Sequence, residues 1–423
     1  MNEETFDRLS WRQTFTAMFS GRMLIALLMG FSSGLPLLLT GSVLQAWMKE
    51  EGVDLATIGL FALVGLPYTL KFLWAPMLDR FSPTLLGRRR GWLMGAQILL
   101  AVSIALLGQT QPAVAPLGVA IAALLVTFFS ATQDIVIDAY RRESLADNEL
   151  GLGSSLYVNG YRIALLLTGG VGLILADMVP FPVVYIIMAG FMSIGILTTL
   201  FAPEPIEVQG HPKTIREAVI DPFVEYFQRD SALLILLFIL LYKVGDTMAA
   251  HMATPFYLDI GFTKTEIGAV VKLFGFWATI IGGLLGGIII IRITLYRSLW
   301  VFGALQALST AGFAVLAHMG HNTIALAAVI SFENLSSGMG TAAFVAFMAA
   351  LTNKKFTATQ YALLTSLMGI PRVIIATPTG FMAEAMGWAN FFIFCALIAI
   401  PGMLLLLKVA PWHRDTATPK TSR

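Results

Sequence analysis

Between Thr132 and Glu143 the chain reads Thr-Gln-Asp-Ile-Val-Ile-Asp-Ala-Tyr-Arg-Arg-Glu, closing an uncharged, mostly apolar run that begins near Val114. Asp134 and Asp138 are four residues apart, so a helix places both carboxylates on one face, a turn apart, with Arg141 and Arg142 at its exit. Acids in such a run are rare, and where they occur they mark proton or ion pathways. Asp134 and Asp138 are therefore the first candidates for proton coupling, Asp134 as the deeper carrier and Asp138 as the gate or ion-pair residue. Seven further charges fall inside apolar runs: Lys71, Arg162, Lys243, Lys272 and Arg372, and against them Asp246 and Glu333. Each costs about 3 kcal/mol or more in hydrocarbon unless it is paired or hydrated. A packed helical scaffold needs no such set, whereas a hydrated path for a charged solute does.

Arg162 and Arg372 occupy equivalent places in two halves of the sequence, as an anion clamp would, and the guanidinium fork suits carboxylates. Tyr157, Asn159 and Tyr161 add polar and aromatic surface beside Arg162, consistent with a sugar or peptide ligand. Lys243 and Asp246, three apart, are candidate ligand contacts, and equally a pair that neutralises itself. Lys272 joins the ligand candidates. Glu333 is a second candidate for the proton site. Lys71, near a membrane boundary, is assigned to gating, since it can snorkel. His251 reads as an interior hydrogen-bonding residue. The small residues Ser336-Ser337-Gly338-Met339-Gly340-Thr341 read as helix packing. No phosphate-cradling loop, His-Glu-x-x-His or Cys/His cluster is present, so neither ATP nor a metal drives the process. The expected coupling ion is the proton, with no other cofactor, and the chain is no enzyme.

The elements that hold these residues follow from composition. Of 423 residues, 57% are hydrophobic and 12% charged, with a mean hydropathy of +0.79. Water cannot cover such a chain, and it is expected to be an all-α integral membrane protein. Twelve transmembrane helices are expected at 22–48, 55–78, 91–109, 114–140, 151–176, 181–202, 231–258, 264–291, 297–318, 322–351, 358–383 and 387–409. Lysine and arginine gather on alternate connections, Arg80, Arg88, Arg89, Arg90, Arg141 and Arg142 among them, while Lys49 and Lys264 alone mark the other side. The positive-inside rule then puts both termini in the cytoplasm. The only long connection carries Pro203, Pro205 and Pro212. It divides a leader (1–21) and a first half (22–202) from a second half (231–409) and a tail (410–423), with 203–230 as cytoplasmic linker. The single cysteine, Cys395, excludes an intramolecular disulfide. Net charge of +2 reflects topology, not a nucleic-acid partner.

Two six-helix halves related by duplication are the plan of the major facilitator superfamily, whose ligands bind between the halves near the midplane. The loop Ala75-Pro76-Met77-Leu78-Asp79-Arg80, then Gly87-Arg88-Arg89-Arg90, resembles the superfamily motif that braces the cytoplasmic side, with Ala75 where a glycine is expected. Asp79, Arg80, Arg88 and Arg89 are thereby gating candidates, with Arg141 and Arg142. Four stretches carry a narrower likeness: Gly59 to Tyr68 with Leu70 to Pro76, Ser130 to Arg141, Glu333 to Thr341, and Phe356 to Leu364. They resemble the AmpG muropeptide permeases. The resemblance implies a bacterial inner-membrane importer that returns N-acetylglucosamine-anhydro-N-acetylmuramyl peptides from periplasm to cytoplasm with protons; the chain is expected to be a monomer. Such uptake serves peptidoglycan recycling and, where an inducible beta-lactamase exists, its induction. Read without the resemblance, the residues also fit a same-fold transporter of another anion such as acyl-coenzyme A, a membrane-embedded transferase, or a muropeptide sensor.

Overall fold

The computed structural model describes residues 19–409 apart from 54, 82, 84–85, 206–216, 218–219, 229–230, 264–265, 354–355 and 375–377. The side chains of 55–56, 59, 62, 268, 272–273 and 369–374 are likewise outside the description, as are most of the leader, linker and tail expected from the sequence.

Every regular element among the described residues is helical, and ten helices are long and apolar enough to cross a membrane. The expected second span is not one helix. It runs as Leu55–Leu60, a 3₁₀ turn Phe61–Gly65, Leu66–Leu70, a second 3₁₀ turn Lys71–Leu73, and Ala75–Arg80. Pro67 and Pro76 each sit in the first turn of a new segment, where a missing N–H is tolerated, and each denies the preceding helix a continuing hydrogen bond. Of the eleventh span, Thr357–Ile374 and Thr379–Met386 are helical, and 375–377 lie outside the described residues. In the first span, Pro36 lies inside the helix Gly21–Leu39, and the break falls at Thr40 and Gly41, before Ser42–Glu50.

The fourth span, Pro116–Ser144, has 29 residues, about 44 Å at 1.5 Å per residue, against about 30 Å of hydrocarbon. Its first half presents Leu117, Ile121, Leu124 and Leu125 outward, while from Ser130 onward nearly every residue is buried. The segment that carries the acids is thus enclosed by protein.

The chain divides into two compact units. One comprises Met18–Val224 with Met348–Ser366; the other comprises Glu225–Phe347 with Leu367–Arg423. The stretch Met348–Ser366, from the second half of the sequence, is grouped with the first unit.

In the first unit Gly21–Leu39 packs along Leu150–Leu166. The approach is close because glycines face backbone on both sides. A methyl group on Gly30 would meet the carbonyl of Tyr157, and one on Gly160 would meet the carbonyl of Leu27. Arg88–Leu107 packs between Pro116–Ser144 and Phe181–Phe201.

In the other unit Leu295–Met319 lies along Trp388–Val409. A ring cluster of Phe256, Phe313, Trp388, Phe391 and Phe392 fills the core at one end, Phe256 and Phe392 having centroids 4.8 Å apart. Gly282 and Gly338 admit the backbones of Leu335 and Thr279, so the small-residue segment of the tenth span does serve packing. Cys395 is free and wholly buried, its backbone carbonyl against Gly245.

Candidate functional site

Two polar clusters lie in the first unit. The deeper one is built on the helix Pro116–Ser144. Ser33 Oγ donates to Asp134 Oδ1 and lies 2.9 Å from the Tyr157 hydroxyl, so a serine of the first span joins the fourth and fifth. Lys71 is buried and lies within electrostatic range of both Asp134 and Asp138. The 3₁₀ turn that interrupts the second span carries it there. Around it, Tyr68 donates to Ser130 (2.9 Å), Trp74 Nε1 to Thr132 (3.1 Å) and Thr127 to the carbonyl of Val64 (2.6 Å). The last of these satisfies a backbone carbonyl of the broken second span, and the first two tie its side chains to the fourth.

One turn further on, Arg141 Nη2 donates to Asp138 Oδ1 at 3.1 Å and to the Tyr361 hydroxyl at 2.8 Å. Its guanidinium also lies 4.3 Å from the ring centre of Tyr157, a cation–π contact. The Nε and Nη1 of Arg141 are buried without a hydrogen-bond partner among the described residues. They stand beside a cavity of about 10 Å³ lined by Arg22, Tyr140, Ser144 and Tyr157, room for about one water. Arg142 pairs with the exposed Asp147 at 2.8 Å.

The second cluster holds the loop between the second and third spans. Arg89, with no exposed surface, donates to Asp79 Oδ1 at 2.8 Å, to Glu143 Oε1 at 2.6 Å and Oε2 at 3.0 Å, and to the carbonyl of Leu78 at 3.2 Å. Arg88 reaches the same Glu143 at 3.1 Å. Glu204 accepts from the backbone N–H groups of Arg89 (2.7 Å) and Arg90 (3.0 Å), capping the third span. Gly87, with φ +88°, turns the chain there, and a side chain at Gly87 would strike Glu204. Asp79 also accepts from Ala358 N (3.3 Å), Thr359 N (2.9 Å) and Thr359 Oγ1 (2.8 Å), at the N-terminus of Thr357–Ile374. Arg80 takes no part; it lies over the Phe81 ring.

In the other unit, Lys243 Nζ donates to Asp246 Oδ2 at 3.0 Å and to Thr341 Oγ1 at 3.3 Å, while Gln306 Nε2 reaches the same Asp246 oxygen at 3.4 Å. Glu333 accepts from Ser309 Oγ at 2.6 Å and lies within electrostatic range of Asp246. Asn334 accepts from Thr279 at 2.7 Å.

Of the ligand candidates, Tyr157 is engaged with Ser33 and Arg141. Asn159 is buried, with both amide atoms unpartnered among the described residues. Tyr161 and Arg162 are half-buried on the fifth span. Lys272 lies in a π-helical turn, Ile267–Phe274, and Arg372 in the helix Thr357–Ile374, but both side chains are outside the described residues. Sequence reasoning overlooked Glu143, Glu204, Thr359 and Tyr361, which complete the charge and hydrogen-bond balance of Arg89 and Arg141. The adjacency Arg141-Arg142-Glu143 was the only signal for the first of them. Among the described residues no group of acids, histidines or cysteine is arranged to hold a metal.

Residues 22–376 match the model of the Major Facilitator Superfamily. The chain is 45% identical over 388 residues, 91% of its own length and 79% of the relative's, to the anhydromuropeptide permease of Escherichia coli (strain K12). To the putative transporter AmpG 4 of Rickettsia conorii (strain ATCC VR-613 / Malish 7) it is 34% identical over 397 residues, 91% of this chain and 96% of that one. Among solved structures, the proton:xylose symporter XylE aligns with a TM-score of 0.71 at 11% identity over 94% of this chain and 96% of that chain, a likeness of fold. The helical architecture, the braced loop and these relatives agree: the chain belongs to the major facilitator superfamily and, within it, to the AmpG family, as a multi-pass membrane transporter and not an enzyme.

Proposed function

We propose that this transporter imports anhydro-muropeptides from periplasm to cytoplasm together with protons, by alternating access of two six-helix halves (22–202 and 231–409) joined by the linker 203–230. It works as a monomer in the bacterial inner membrane with both termini cytoplasmic. The observation that carries the substrate is the identity of 45% to the E. coli anhydromuropeptide permease across 91% of the chain.

The interior charges support the coupling. An anionic ligand entering a negative-inside cell works against about 2.3 kcal/mol per charge per 100 mV. A co-transported proton cancels one charge and adds about 1.4 kcal/mol per unit of pH gradient. In this reading Arg162 and Arg372 bind ligand carboxylates, aided by Tyr157, Asn159, Tyr161 and Lys272, and Asp134 exchanges a proton beside Ser33. The Asp138–Arg141–Tyr361 and Asp79–Arg89–Glu143 networks, with Lys71, Arg80, Arg88 and Arg142, govern the cytoplasmic gate. The pairing of Asp79 with the first turn of Thr357–Ile374 supports that role, because any opening that moves this helix breaks three hydrogen bonds at once.

The test is uptake of labelled anhydro-muropeptide into liposomes containing the purified protein under an imposed pH gradient, acid outside. Wild type accumulates unchanged ligand above the external concentration. Asp134→Asn loses the gradient-driven component, and Arg162→Gln or Arg372→Gln weakens ligand affinity about tenfold or more, as expected for loss of a charged hydrogen bond. No accumulation by wild type ends the substrate assignment; undiminished gradient-driven uptake by Asp134→Asn ends its proton role.

A further inference from the structure

The second unit contains two carboxyl groups and one ammonium that the sequence treats as separate features. Lys243 and Asp246 sit on the seventh span, and Glu333 sits on the tenth. Asp246 accepts from Lys243 and from Gln306 and lies within electrostatic range of Glu333. Glu333 in turn accepts from the wholly buried Ser309. Among the described residues, Tyr242 faces Asp246 and Tyr257 faces Glu333. A small cavity lined by Tyr242, Asp246, Gln306 and Thr310 opens beside the aspartate.

Two carboxyl groups hydrogen-bond to each other only when one carries a proton, since carboxylates are acceptors alone. A single proton placed between Asp246 and Glu333 would turn their approach into a hydrogen bond. With it the cluster of Lys243, Asp246 and Glu333 is neutral overall; without it the cluster carries one net negative charge, and the two carboxylates repel.

We propose that Asp246 and Glu333 form a shared-proton site in the C-terminal unit, and that this proton is one the transporter carries. Release breaks the Glu333 O–H bond and sends the proton to water; Asp246 then keeps Lys243 as its partner and Glu333 keeps Ser309. The carboxyl–carboxyl link between the seventh and tenth spans is lost in that step while Lys243 still reaches Thr341, so proton occupancy is tied to how tightly the two spans are joined. The transport half of this inference rests on the proton-driven reading above; the shared proton does not.

Two measurements separate them. Infrared difference spectra of the purified protein between mildly acidic and alkaline pH, without ligand, are expected to show carbonyl stretches of protonated carboxylic acids in wild type, one of them from the shared proton. That band disappears in Glu333→Gln and shifts in Asp246→Asn, whereas Asp134→Asn retains it. A band unchanged in Glu333→Gln overturns the shared proton, and the Asp246→Asn spectrum serves the same purpose should Glu333→Gln not fold. In liposomes, loss of one coupled proton lowers the accumulation ratio about tenfold under a gradient of about one pH unit, relative to the exchange rate of the same preparation. Accumulation by Glu333→Gln equal to wild type overturns the carrier role even if the band is lost. Failure of wild type to transport the muropeptide, with the band present, counts against the substrate alone.

Discussion

Glu143 is the residue on which the cytoplasmic end of the first unit depends. Its carboxylate, almost wholly enclosed, accepts from both Arg88 and Arg89, and Arg89 spends its remaining donors on Asp79 and Leu78. Removing one partner of a buried pair leaves an uncompensated charge, at a cost of about 3–5 kcal/mol. Glu143→Ala should therefore lower the unfolding temperature of the purified protein far more than Arg142→Ala, whose partner Asp147 is exposed. Equal melting shifts for the two would contradict the network. The sequence displayed Asp79, Arg88 and Arg89 because their spacing is local. Glu143 and Glu204 reach the arginines across more than fifty residues of chain, and no local spacing encodes a tertiary ion pair. The Asp138–Arg141 contact, three residues apart on one helix, was readable for the opposite reason.

At the scale of elements, hydropathy located the spans well wherever one helix crosses alone. It does not show that the second is broken, since apolar composition does not register whether a helix is continuous. Pro67 and Pro76 were in plain view, yet only the tertiary bonds show how the broken helix is held, with Thr127 donating to the carbonyl of Val64 and Tyr68 and Trp74 donating to Ser130 and Thr132. The helix of the eighth span, expected from 264, is in place by Glu266, ahead of the apolar crossing segment Ala269–Ile293. Before it stands a capping box. Thr263 Oγ1 accepts from Glu266 N, and Glu266 Oε2 accepts from Thr263 N at 2.9 Å. The backbone N–H of Thr263, then His321, then the Thr263 hydroxyl draw the Glu266 pKa down from 4.5 to about 2. A depressed carboxylate stabilises the fold above its ordinary pKa, and the contribution fades as pH falls through the lower value. Glu266→Gln should thus melt below wild type at neutral pH, with the gap closing between pH 4.5 and about 2. A gap independent of pH would rule the cap out. The interlocked first and fifth spans make a second prediction at this scale. Gly160→Ala forces two backbones apart, and overpacking of this kind costs about 1–3 kcal/mol or more. The melting temperature should fall clearly for Gly160→Ala but hardly for Gly190→Ala, where a methyl group meets nothing.

At the scale of the whole molecule, the boundary between units does not follow the linker alone. Met348–Ser366 belongs with the N-terminal unit, held by Asp79 at its helix start, by Arg141 at Tyr361, and by Gln360 to the carbonyl of Pro222 at 3.1 Å. Asp79→Asn weakens the first of these, since an amide oxygen is a poorer acceptor for a helix N-terminus than a carboxylate. Hydrogen exchange over 356–366 should quicken in that variant while peptides of 295–319 stay at their wild-type rate. Unchanged protection at Ala358 and Thr359 would show that the carboxylate holds nothing. The buried Cys395 has a consequence of a different kind. The native protein possesses one thiol, and that thiol is shut away in a ring-lined core. A water-soluble maleimide should leave the folded wild type unmodified and label it once after denaturation. Any second cysteine placed along a span then reports its own accessibility, acidic side or cytoplasmic side, against a silent background that nature has already supplied.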